Sequence, residues 1–131
     1  MEATFSVSKW DEKPVDETRK DFPVNSARVE YEIDGVLKGK AFVEYLLYYL
    51  ESNATDGHLA TAKISGFLHF EGTYQGRQGT FTAIEQGIFD KGNLDSPGKI
   101  LKATGNLEGL KGFYHYTFSG QASKMMLDFE F

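Results

Sequence analysis

Residues 27–35 read Ala27-Arg28-Val29-Glu30-Tyr31-Glu32-Ile33-Asp34-Gly35. Ala27, Val29, Tyr31 and Ile33 alternate with Arg28, Glu30 and Glu32, the period-two pattern of a strand that buries one face. Asp34-Gly35 follows, a dipeptide that accepts the positive φ angles of a tight hairpin. The chain is therefore expected to turn back on itself at once, with Val36 to Leu50 as the return strand. From Ala41 onward that strand is apolar on both faces.

The same grammar extends in both directions. Upstream, Ala3 to Trp10 alternates, with Phe5 and Val7 on one face and Ser6 and Ser8 on the other. Asp11 to Pro23 is charged, holds Pro14 and Pro23, and reads as a long loop. Downstream, Asn53 to Gly57 is a polar turn and His58 to Phe70 a long strand. Gly72 to Gly76 turns, Gly79 to Phe89 returns, and Asp90 to Gly98 reads as a loop around Pro97. Lys99 to Leu107 is a weaker strand. After the glycine-spaced turn Gly109 to Gly112, Phe113 to Gly120 and Met125 to Phe131 form a closing hairpin. No stretch carries a 3.6-residue apolar stripe of helical length. Sequential hairpin-linked strands suit a sandwich or an up-and-down barrel, and closure removes the edges that invite aggregation. The expected fold is one all-β domain over residues 1–131, a closed eight-stranded antiparallel (up-and-down) β-barrel.

Composition agrees. The chain has 131 residues, 11 Phe, 7 Tyr, 14 Gly and 3 Pro, a mixture suited to pleated strands and tight turns. That length gives one domain room for a core. Cysteine is absent, which excludes disulfides, thiolate metal sites and a thiol nucleophile, and leans towards a reducing compartment. The N-terminus lacks the basic start and apolar stretch of a signal peptide. The run Tyr45 to Leu50 is too short to cross a bilayer. A cytoplasmic location is expected. A formal net charge of −5 with scattered acids argues against nucleic acid and against an anionic membrane surface, both of which require concentrated basic charge.

Three stretches carry a family resemblance. The first is Gly72-Thr73-Tyr74-Gln75-Gly76-Arg77-Gln78-Gly79-Thr80-Phe81. The second is Ala103-Thr104-Gly105-Asn106-Leu107-Glu108-Gly109-Leu110-Lys111-Gly112. The third is His115-Tyr116 with the alternating aromatic strand after it. Together they resemble the bacterial domain of unknown function 3224 family along the whole chain. The resemblance implies an eight-stranded barrel similar to that of plant allene oxide cyclase. It implies no chemistry, because the family has no established activity. Where the resemblance implies a histidine near the end of the Gly79-Thr80-Phe81 strand, this chain carries Glu85.

Few side chains are arranged for chemistry. The glycine-rich turns are not followed by a helix, so turn formation explains them better than a phosphate cradle does. His58 and His69 have opposite parity on one strand and no third ligand at metal spacing, so no metal or other cofactor is expected. Glu44 shares a face with Phe42, Leu46 and Tyr48, and Glu85 with Phe81, Ala83 and Phe89. Were both faces interior, the two carboxylates would form an acid–base pair in an apolar cavity. The alternative is that one or both face solvent or pair with Arg77 or Lys63 at a barrel mouth. The candidate ligand-binding residues are Glu44, Glu85, His115, Tyr31, Tyr48 and Arg77, with an apolar or aromatic small molecule as the expected ligand. An isomerase or cyclase is the enzymatic alternative, by fold analogy alone. A third reading, an interaction module, requires a filled core and a large apolar interface. The doubly apolar strand Ala41 to Leu50 must be covered on its outer side, by the Asp11 to Pro23 loop or by another subunit, and a homo-oligomer, most simply a dimer, is the preferred cover.

Overall fold

The computed structural model describes residues 1–19, 21–51, 61–90, 93–119 and 122–131. Within them lie eight strands: β1 (Glu2–Pro14), β2 (Val24–Gly35), β3 (Leu37–Glu51), β4 (Thr61–Tyr74), β5 (Arg77–Asp90), β6 (Asn93–Gly105), β7 (Lys111–Ser119) and β8 (Ala122–Glu130). Each pairs antiparallel with the next, and β8 returns to β1, so the order around the closed ring is the order in the sequence. The β1–β8 seam is narrow, joining Glu2, Thr4 and the residue between them to Lys124–Met126. The fold contains no helix long and apolar enough to cross a membrane among the described residues.

Strand β2 behaves as its alternation demands. Ala27, Val29, Tyr31 and Ile33 are buried, and Gly35 has φ 120° at the hairpin. In β3, Ala41, Val43, Tyr45 and Leu47 point into the ring while Glu44, Leu46, Tyr48 and Leu50 point out. At one end, Gly105 and Gly109 have positive φ, and their turn folds Leu107 and Leu110 inward as a buried plug.

Three local expectations need correction. Residues 11–14 continue β1 instead of starting a loop; Pro14 ends the strand opposite Asn25, where its missing N–H costs nothing. Residues 93–98 belong to β6, with Pro97 facing His115 on β7. The alternation of β1 breaks at a bulge between Val7 and Lys9, so Trp10 and Glu12 join the inner face. The expected turn at residues 53–57 and His58 lie outside the described residues.

Candidate functional site

Glu85 is fully buried and sits midway along a row that crosses five strands. Tyr45 on β3 faces Gly66 on β4, Gly66 faces Glu85 on β5, Glu85 faces Gly98 on β6, and Gly98 faces Tyr114 on β7. Directly opposed residues in an antiparallel sheet share a face, so all five look into the ring. The two glycines leave the space in which the tyrosines lie. A Cβ on Gly98 would overlap the Tyr114 phenol, and one on Gly66 would come within 2.9 Å of Tyr45 Cδ1.

Both tyrosines lie across those gaps and donate to the carboxylate. Tyr45 Oη is 2.7 Å from Glu85 Oε1, and Tyr114 Oη bonds Oε2. The Tyr116 hydroxyl donates to Oε1 at 2.6 Å and Ser96 Oγ does so at 2.8 Å. Tyr45 and Tyr116 also touch through their hydroxyls, and Tyr31 reaches Tyr116 at 3.4 Å. Four hydroxyls thus converge on a single carboxylate. Among the described residues no buried side-chain nitrogen or oxygen lacks a partner.

Burial pushes the Glu85 carboxyl above the usual carboxylate range, against the opposing pull of its hydrogen bonds from Tyr114, Tyr116, Tyr45 and Ser96. The phenols move in the same direction. Burial raises Tyr31 to about 12, and burial together with the neighbouring Glu85 charge holds Tyr45, Tyr114 and Tyr116 well above their ordinary value.

The interior around this cluster is packed. Beside Tyr116 and Tyr31 a void of about 10 Å³ is lined by Phe5, Ile33, Leu68 and Met125, room for about one water. A larger concavity of about 530 Å³ is an exterior groove along Thr4, Ser6, Glu32, Asp34, Lys38 and Lys40, on the opposite side of the strand wall from the carboxylate.

The sequence-derived candidates separate accordingly. Glu85 and Tyr31 meet in the interior cluster. Glu44 does not join them: β3 parity turns it outward, where its Oε1 takes Arg28 Nη1 at 2.8 Å in an exposed pair. Tyr48 is exposed on the same outer face, opposite Lys63. His115 is exposed and paired with Asp95. Arg77 is exposed near the β4–β5 turn, its guanidinium 4.3 Å from the Phe131 ring centroid. Among the described residues no three His, Asp or Glu side chains gather as a metal site. Sequence reasoning passed over Tyr45, Ser96 and Tyr114. Ser96 lay in an expected loop, and the two tyrosines read as ordinary strand aromatics. Gly66 and Gly98 were the available signal, each a strand glycine of the kind that marks a close approach.

A second cluster lies at the end of the ring opposite the Leu107 plug. There the inner face carries Trp10, Glu12, Asn25 and Tyr49, joined by hydrogen bonds to the Glu12 carboxylate.

These features define a class: a small all-β domain of eight antiparallel strands in a closed ring, with a filled core and a buried carboxylate–phenol cluster. The chain belongs to the family described as protein of unknown function (DUF3224), whose model matches residues 1–131. A solved structure from Shewanella oneidensis, described as a protein with unknown function from the DUF3224 family, is similar in fold. Its TM-score is 0.75 at 21% identity, over 100% of this chain and 95% of that one. No curated protein matches the chain.

Proposed function

We propose that this protein is an interaction module that pairs with a second copy of itself through the outer face of β3, β4 and β5. The observation that carries this reading is the apolar surface over a filled core. Leu46 is 55% exposed and Phe67 54%, with Tyr48, Leu50 and Ile88 exposed beside them. Contiguous exposed apolar surface marks a site of association. Charge favours a like partner. In a chain of net charge −5, the outward residues of β4 from 63 to 69 and of β5 from 82 to 88 are Lys63, Ser65, Phe67, His69, Thr82, Ile84, Gln86 and Ile88, without an acid. Two copies meeting here would set no acid of these β4 and β5 stretches against another. The adjoining Arg28–Glu44 pair offers both signs, as a self-complementary two-fold contact requires.

The absence of cysteine allows a clean test. Ser65→Cys, treated with a short bismaleimide, should give a covalent dimer, and Asp128→Cys, on β8, should not. Equal yields from the two would reject the face.

A second reading keeps the interior as a small-molecule site, on the strength of Glu85 and its four hydroxyls. A ligand of drug size needs hundreds of Å³, so it would have to part the strands, most readily at the short β1–β8 seam. On the analogy with an allene oxide cyclase-like barrel, Glu85 would then be the acid or base of an isomerase. Glu85→Gln should abolish any turnover found, and unchanged turnover would remove Glu85 from that role.

A further inference from the structure

The bulge in β1 has a consequence for ligand binding at the far end of the ring. Up to Val7 the odd-numbered residues of β1 face inward, Phe5 opposite Ile33 and Val7 opposite Tyr31. The register then slips, and Lys9 faces the outward Glu30 while Trp10 and Glu12 face the buried Val29 and Ala27. Bulges commonly re-aim side chains at functional sites. This one moves the chain's single tryptophan and a carboxylate onto the inner face together.

The hydrogen bonds there run one way. Trp10 Nε1 donates to Glu12 Oε1 at 2.8 Å, Asn25 Nδ2 donates to Oε2 at 2.6 Å, and the Tyr49 hydroxyl also donates to Oε2. The indole and the phenol thereby spend their only hydrogens, and the amide spends one of two. Among the described residues, what remains unspent is mostly acceptor: a lone pair on Glu12 Oε1, the Asn25 carbonyl, and the indole face. Among the described residues Oε1 takes one donor where Oε2 takes two, so its remaining lone pair lies beside Trp10. Trp10 remains 41% exposed, and Tyr49 and Asn25 are half-buried.

We infer that Glu12, Trp10, Tyr49 and Asn25 form a binding site for a small alkylammonium ion. A primary ammonium has three donors and no acceptor. It would bond Glu12 Oε1 through a charge-assisted hydrogen bond and lie against the indole, whose π face attracts cations more strongly than that of tyrosine or phenylalanine. An anion would meet a carboxylate with no spare donor but one amide hydrogen. A neutral alcohol would gain one hydrogen bond and no charge interaction.

Because Trp10 is unique, its fluorescence and its one indole N–H resonance report on the site directly. Titration of the full-length protein with n-butylammonium chloride in low-salt buffer should give a saturable change, with a Kd on the order of 1 mM. 1-Butanol and sodium butyrate should give none, and raising the salt should weaken the ammonium response. Glu12→Gln, with strand content unchanged by circular dichroism, should weaken binding by about tenfold or more, a loss of about 1.4 kcal/mol. No saturable response to n-butylammonium, or an equal response to 1-butanol, overturns the assignment on the unaltered protein alone. A folded Glu12→Gln variant that binds as tightly as the parent does the same.

Discussion

Gly98 lies directly between Glu85 and Tyr114, and its missing side chain lets the Tyr114 hydroxyl reach the carboxylate. Gly66 stands in the same relation to Tyr45. The interior polar cluster is thus built as much by what two strands omit as by what their neighbours carry.

Gly98→Ala should therefore cost about 2 to 4 kcal/mol, combining overpacking with a displaced buried hydroxyl. Denaturant unfolding measures it. In a Tyr114→Ala background the same change should cost much less, because the overlapping ring is gone. Equal costs in the two backgrounds would separate Gly98 from Tyr114.

Glu85 makes its own contribution to acid-side pH dependence. Its folded carboxyl titrates above its unfolded value, so the native state holds the proton more tightly. The stability this adds is full below the unfolded value and is lost as pH rises through the folded one. Relative to Glu85→Gln, the parent should weaken as pH climbs from about 4 towards neutrality. A difference that stays flat, or grows with pH, would contradict the raised carboxyl.

Alkaline behaviour follows from the phenols. Tyr31, Tyr45, Tyr114 and Tyr116 titrate above their ordinary value in the folded chain, so just above pH 10 the unfolded chain loses those protons before the folded one does. Stability should fall by up to about 5 kcal/mol per pH unit once all four ionise on unfolding. Tyrosinate absorbance from the four interior phenols should appear only with loss of structure, and burial raises Tyr49 and Tyr74 in the same direction. A single smooth titration of all seven tyrosines with the fold intact would refute their burial.

The strand count and the closed ring could be read from the sequence because alternation survives wherever one face is buried, as in Ala27 to Ile33. What hid the site was non-local. Glu85 looked like one acid on an apolar face, equivalent to Glu44. Only the parity of β3, fixed by Val43, Tyr45 and Leu47 turning inward, separates the two. The pairing that aligns Tyr45, Gly66, Glu85, Gly98 and Tyr114 spans five strands and leaves no local pattern. Ser96 was masked by Pro97, whose turn character suggested a loop. The bulge after Val7 reversed the inward face of β1, which simple alternation assigns wrongly for Trp10 and Glu12.

Leu46 and Phe67 stand on adjacent strands, their pairing partners being Ser65 and Glu44, so charges at both positions should destroy the contact while leaving the interior untouched. Leu46→Glu with Phe67→Glu should stay folded, because both side chains already face water.

Sedimentation equilibrium at micromolar concentration is the most direct test of that claim. The parent protein should sediment at twice the chain mass of 14.7 kDa, and the doubly charged variant at the mass of a single chain. A parent that stays at 14.7 kDa as its concentration rises, or a variant that dimerises as well as the parent, would contradict the proposed self-association.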